Sequence, residues 1–537
     1  MSAFSASRTV RYLGVICSLV VPTGTLGCSG DPDGSKAETT GGGSGGYSTP
    51  CFGSECPGDP IQPRPDGCQA PPPKDANPLM SYEWEAPTPN HVVANTTDSG
   101  PGSLRAALEA AQDGEVVGFD SALAGGTIKL VSELVVPASI TLDASAAPGL
   151  TLDGQGKTRV MSIARQKDTT LVGLRFLAGS TQGPGGALHV EQVSDEKAFG
   201  SVRILACAFE KNRGGRGGAV RVGWRIHAVV ENSVFVDNDG SGGSEQDRGF
   251  SAGGISTSQN ASLVVRRSRF ERNRGHIAGA VYNILEPVTV EDSIFIDNVA
   301  LGGSGAFFTD GGNGVGPEND PVRGEPGEIT LRRVRMHGNR GVGAGGAMLI
   351  WGYPRDVIAI SSSIVQGSLL VADPSGESKG GAARLHALDR ISIRDSSFTD
   401  NRSEQQGGAL WIDGDGPLEL ENVTFAMNHV EKDAGGGINY NGHGKVTIKN
   451  CLFSQNHAGR ACGAFWFGDD KLDMTVSNTI FSLNTAAGDI EQRHVGYRPK
   501  DGGGNLEWVT AEPSRGRVFE SSLFADPALA KLSEIEG

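Results

Sequence analysis

Three features of this 537-residue sequence predict an all-β solenoid wound as a single-stranded parallel β-helix. The first is a pair of short signatures that recurs from about residue 176 to residue 484. One half opens a strand from a small-residue turn, as in Gly407-Gly408-Ala409-Leu410, and the other ends a strand in Phe-x-x-Asn, as in Phe425 to Asn428. The second is spacing: the Phe residues at 209, 235, 270 and 295 lie 26, 35 and 25 apart, and those at 398, 425, 453 and 481 lie 27, 28 and 28 apart. That length fits one coil of roughly three short strands and their turns. The third is composition, with 79 Gly and only 6% aromatics, as turn-rich β repeats require.

The chain opens like an exported protein. Arg8 and Arg11 precede an apolar run from Tyr12 to Val21 that is too short to span a bilayer. Thr25-Leu26-Gly27-Cys28 resembles the cleavage box of bacterial lipoproteins, with Thr25 where Leu is commonest. The resemblance implies that residues 1–28 are a signal peptide and that Cys28 carries the lipid. Plain secretion and an uncleaved anchor are the alternatives. Residues 29–90 read as a tether, flexible at Gly41 to Gly46 and stiffer at Pro71-Pro72-Pro73. Cys51, Cys56 and Cys68 lie in it, and two of them are expected to pair outside the cytoplasm, the pairing being open.

The folded body is predicted over 91–537. Ser103 is placed as a helix N-cap ahead of an apolar stripe at Leu104, Ala107, Leu108 and Ala111. This Ser-Leu-Arg-x-Ala-Leu segment resembles the entry of bacterial right-handed β-helix proteins, where a short helix covers the open first coil. A solenoid end needs such a cover, because it exposes core side chains and strand edges. Strand-like runs follow at Val116-Val117, Ile128 to Leu130, Leu134 to Val136, Ile140 to Leu142 and Leu150 to Leu152. The repeat then runs to about residue 485, with an excursion at Gly311 to Glu328. A weak copy near Ile364 lacks both Phe and Asn. Ser522 to Pro527 reads as a last strand.

Alternation assigns the roles within a coil. The Phe points inward and stacks on the next coil's Phe; two residues earlier stand small residues such as Ser233, Ser268 and Cys451. The Asn sits at a turn, where its amide can bond the backbone and the next Asn. Cys207 and Cys451 therefore read as core thiols and not as a metal pair.

Gly-Gly-Ala-[Ile/Leu/Val] together with Phe-x-x-Asn resembles the repeat of the bacterial polymorphic outer-membrane proteins, which are right-handed parallel β-helix passengers related in fold to pectin lyases. The resemblance implies a surface-exposed, adhesive protein. Those proteins commonly end in a membrane β-barrel, and no such segment is read here, so a lipid at Cys28 would hold the chain at the outer membrane. With 47 Lys plus Arg against 62 Asp plus Glu and a net charge of −15, nothing favours a nucleic-acid partner.

Two sets of residues are candidates for a site. Two positions past each Gly-Ala step lie His189, Arg221, Tyr282, Phe308, Leu349, Arg384, Trp411, Asn439 and Trp466, one face of one sheet. Tyr282, Phe308, Arg384, Trp411 and Trp466 would form a strip for a polysaccharide or a cell-surface protein; the alternative is that side loops shield them. Beside it, turns carry Asp413, Asp415, His443, Asp469 and Asp470. These acid–base groups suit a polysaccharide lyase or glycoside hydrolase of the same fold, and in a lyase the carboxylates can also hold Ca²⁺. Asp and Gly are also ordinary turn residues. No cofactor motif is present. The preferred expectation is an adhesive or glycan-binding rod, with the enzyme as its alternative.

Overall fold

The structure, a computed structural model, describes residues 83–194, 198–244, 249–312, 327–468, 471–487, 494–509 and 517–529. Cys28, Cys51, Cys56, Cys68, Asp469, Asp470 and most of the Gly311–Glu328 excursion lie outside them.

Every pairing between named strands is parallel and joins one coil to the next. Among the described residues the strands form sheets of 28, 12 and 8 members. A full repeat coil enters the 12-stranded sheet from its glycine-rich turn, crosses to the large sheet, bends within it and, from Arg274 onward, passes to the 8-stranded sheet. Parallel crossovers of this kind wind right-handed. The bend in the large sheet is a single residue with positive φ, stacked in successive coils: Ala206, Asn232, Arg267, Asp292, Arg333, Ser362, Asp395, Asn422, Asn450 and Asn478. A side chain in that region costs about 1–2 kcal/mol, so the bend persists only where its surroundings hold it.

Three ladders do that holding. Phe176, Phe209, Phe235, Phe270 and Phe295 stack with centroids 4.6–4.8 Å apart, the spacing of the strands themselves. Beside the bend, the backbone N–H of Ser233 donates to Ser268 Oγ, and that of Ser268 to Ser293 Oγ, each at 3.1 Å. At the next corner Asn238, Asn273, Asn298, Asn428 and Asn456 each donate through Nδ2 to the carbonyl of a Phe and accept through Oδ1 from the Asn of the preceding coil. Asn238, for example, donates to Phe209 O at 2.9 Å and to Asn273 Oδ1 at 2.8 Å. A polar group this deep is tolerable because its bonds are made.

The coil near Ile364 keeps full register. Met336 pairs with Val365, and Val365 with Phe398, so Val365 fills the Phe rung and Ser368 the Asn rung. The weaker register expected there is thus corrected: backbone pairing sets it, and the side-chain ladders only reinforce it. Ser368 N still donates to Asn401 Oδ1, while Ser368 Oγ is buried without a partner.

Helix α1 (Leu104–Ala110) caps the first coil as read from the sequence. Ser103 Oγ accepts from Ala106 N, Leu104 and Leu108 are buried, and the helix packs on Leu134–Val136 and His91–Val93. At the other end Leu523–Phe524 pairs with Leu506–Trp508, the expected last strand. Contact with the body begins before residue 91. Residues 84–90 run back across a ladder of paired positions, Gly118, Asp143, Val172 and Leu205. Pro89 lies so close to Gly118 that a Cβ there would meet it at 2.6 Å, which is why the position must be Gly. Trp84 packs on Val172, Leu205 and Ala206, and its Nε1 donates to Asp143 Oδ2 at 2.8 Å.

Candidate functional site

The 12-stranded sheet aligns the sequence-derived row as expected. Arg221 pairs with Ser256, Ser256 with Tyr282, Tyr282 with Phe308, Phe308 with Leu349, Leu349 with Arg384, Arg384 with Trp411, Trp411 with Asn439, and Asn439 with Trp466. The expectation of a row of exposed aromatics needs correction at two places. Tyr282 is 2% exposed and Trp411 6%. The turns leading into the strands fold over them. Ala252 and Ala278 cover Tyr282, which stacks on Phe308 at 5.1 Å, and Gln406 Oε1 accepts from Trp411 Nε1 at 3.0 Å. Phe308 and Trp466 are half-buried, Trp466 against Ala434, Ala461 and Cys462.

A second outward row lies two residues further along the same strands: Asp310 pairs with Trp351, Trp351 with His386, and His386 with Asp413. Sequence reasoning named only Asp413 of these. Continuing the same alternation by one more step would have found the others. Trp351 and His386 stack with centroids 3.8 Å apart, and His386 Nδ1 lies 2.8 Å from Asp413 Oδ1. Burial raises the Asp310 carboxyl above its ordinary range, opposed by the bond it accepts from the Tyr353 hydroxyl at 3.0 Å.

Arg384 joins the two rows. Its guanidinium lies 5.5 Å from the Trp351 ring and 4.9 Å from Trp411. It makes no ion pair or hydrogen bond among the described residues, and its Nε is buried without a partner. Many other arginines here have a carboxylate: Arg175 with Glu210, Arg333 with Asp292, and Arg394 with Glu419 and Glu421. Cation–π contact with indoles stabilises the charge by about 0.5–2 kcal/mol, but it leaves the guanidinium's donors open.

The acid–base cluster is divided. Asp413 faces His386, while Asp415 turns to His443 at 3.1 Å on a corner where both side chains are 73% exposed. Asp469 and Asp470 fall outside the described residues. Among the described residues no three His, Cys, Asp or Glu side chains converge as metal ligands.

Sheets, crossovers and ladders together define a right-handed parallel β-helix repeat protein with a composite aromatic and charged face. No protein-family model matches the chain, and no curated protein does. Three solved structures are similar at low identity. A mannuronic acid specific family 6 polysaccharide lyase from human gut microbiota is 13% identical, over 73% of this chain and 86% of that one, with a TM-score of 0.38. The catalytic unit of a GH87 α-1,3-glucanase from Streptomyces thermodiastaticus strain HF3-3 is 16% identical, over 78% and 69%, with a TM-score of 0.40. The PL6 family alginate lyase AlyGC is 12% identical, over 78% and 89%, with a TM-score of 0.20.

Proposed function

We propose that this is an exported polysaccharide-binding protein that engages an acidic glycan on the 12-stranded sheet, at Trp351 and Arg384, with the buried Trp411 ring supporting the arginine. The observation that carries the reading is Arg384, a guanidinium held between two indoles without a carboxylate of its own. Its planar fork matches a carboxylate bidentately, and the half-buried Trp351 beside it offers an apolar edge to a sugar ring. The export and lipid-attachment features at Arg8, Arg11 and Thr25 to Cys28 support a place at the cell surface. Lipid attachment is tested by incorporation of labelled fatty acid, which Cys28→Ser must abolish.

The test of binding is retention on immobilised polyuronate. Arg384→Ala should weaken it at least tenfold, and Arg384→Lys should restore it only in part, because an ammonium lacks the fork. Retention unchanged by Arg384→Ala would end this reading.

His386 with Asp413 beside the same arginine favours a second reading, a lyase. Arg384 would neutralise the uronate carboxylate, and His386, oriented by Asp413, would take the proton α to it as the glycosidic C–O bond breaks. Release of unsaturated ends by the wild type, lost in His386→Ala, would establish catalysis. Retention without any unsaturated product would leave a binding protein.

A further inference from the structure

The side chain on which the acidic-glycan reading rests has a counterpart elsewhere in the fold. Among the described residues, only Arg225 and Arg384 combine a guanidinium against two aromatic rings with a buried, unpartnered Nε. Arg225 lies 5.0 Å from the Phe199 ring and 4.6 Å from the Trp224 ring. Phe199 stacks in turn on His227, with centroids 4.8 Å apart, so the ring beside the guanidinium is itself held in place.

Arg225 stands at the corner between the strand Val220–Val222 of the 12-stranded sheet and the strand Ile226–Glu231 of the large sheet. Its φ is +59°. The pairing of Ala228 with Leu263 makes Asn260 the equivalent position one coil on, with φ at +58°. The backbone here is committed, since Arg225 O accepts from Gly200 N at 3.0 Å. The side chain is not, for it makes no hydrogen bond or ion pair among the described residues. Arg225 is 7% exposed, and Nε is the one guanidinium nitrogen sealed from solvent, so the Nη1–Nη2 edge stays open. Carboxylates on the adjoining strands have other partners: Glu191 pairs with Arg165 and Glu231 with Arg203, while Asp168 accepts from Ser201 Oγ. Aromatic contact offsets part of the cost of burying the cation, and a carboxylate arriving at the open edge would add charge-assisted bonds.

Arg221, in the coil of Arg225, shares a row with Arg384 five strand spacings away. The two open guanidiniums are therefore about 24 Å apart along the stack. We infer that Arg225 is a second contact for the acidic glycan, so that one polyuronate chain is gripped at two points along the solenoid. The inference rests on the Arg384 reading. Once one contact holds the polymer, the other meets its carboxylates at high local concentration.

Arg225→Asn removes the fork and suits the corner, as Asn260 does one coil on. Arg225→Lys keeps the charge without the fork, and circular dichroism with the urea midpoint checks the folding of both. Calorimetry of the full chain with a triuronate, too short to bridge the two residues, should give two sites per chain. Either Arg225→Asn or Arg384→Ala should leave one. Retention on polyuronate should fall at least about tenfold in each of these two variants, with Arg225→Lys intermediate. A single triuronate site in the wild type would overturn the second contact alone. So would polymer retention unchanged in Arg225→Asn but lowered in Arg384→Ala. Retention unchanged in both would end the Arg384 reading, and the second contact with it.

Discussion

Replacing Asn428 with Ala isolates what a corner ladder contributes. Asn428 Nδ2 donates to Phe398 O at 2.8 Å and to Asn456 Oδ1 at 2.9 Å, while its Oδ1 accepts from Asn401 N at 3.1 Å and Asn401 Nδ2 at 3.0 Å. Asn456 Oδ1 keeps the backbone N–H of Asn428 as a partner, at 3.1 Å, and Asn401 Nδ2 keeps Val365 O, at 3.0 Å. Left bare are the Phe398 carbonyl, the Asn401 backbone N–H and one amide proton of Asn401, all in a corner where the Asn residues are fully buried. At about 1–3 kcal/mol for each stranded group, with the partly satisfied amide at the low end, the loss is about 3–7 kcal/mol. Asn428→Ser should cost less, because Ser368 already occupies such a rung within a well-registered coil. Urea titration gives the size of the loss. Hydrogen exchange gives its place, since a solenoid communicates mainly between neighbours, and amides near Asn401, Asn428 and Asn456 should lose protection first. A loss below about 1 kcal/mol, or protection lost evenly along the chain, would refute the argument that the ladder holds this corner, where Met427 has φ at +56°.

Two further expectations concern titration and reactivity. His429 stacks on His457 at 4.8 Å, and burial, with the charges of His457 and Arg402 behind it, depresses its pKa from 6.5 to about 4. The unfolded chain takes up that proton near 6.5 and the folded chain does not, so the contribution is full above 6.5 and is lost as pH falls towards 4. His429→Gln should flatten the fall of the urea midpoint over that window, and an unchanged slope would exclude His429 as its source. Burial pushes the thiols of Cys207, Cys451 and Cys462 up to about 12, 11 and 12. All three should resist alkylation at about pH 8 in the native protein and react once urea unfolds it. Ready labelling of the folded chain would contradict their burial.

Much of the fold was legible because its ladders repeat one residue type at one register. Phe398, Phe425 and Phe453 announce a stack, Asn401, Asn428 and Asn456 a corner, and Ser103 a cap. The coil at Val365 was harder to read, because a rung can be filled by another apolar residue when the backbone alone fixes pairing. The site was half legible. Alternation correctly placed Arg384 and Trp411 on one row, but exposure depends on neighbours from other turns. Gln406 covers Trp411, and Ala252 and Ala278 cover Tyr282, and no local pattern encodes that. Trp351 and His386 went unread because the count stopped one alternation short. Asp413 and Asp415, adjacent in the sequence pattern, point to different histidines because Gly414 turns the chain between them with φ at +104°.

The strap from Trp84 to Asn90 bears on mechanics. A pull applied upstream of Glu83 does not meet the edge strand His91–Val93 first. It meets an indole seated on Val172 and Leu205, bonded to Asp143, with Arg203 5.9 Å over its ring. The load therefore enters the stack several coils in and is spread across the contacts of Trp84 and Pro89. Only after the indole is torn out could the first coil begin to unzip. A protein held by its N-terminal segment against flow or a bound polymer would thus carry its own strain relief, built from one tryptophan and the glycine that makes room for Pro89.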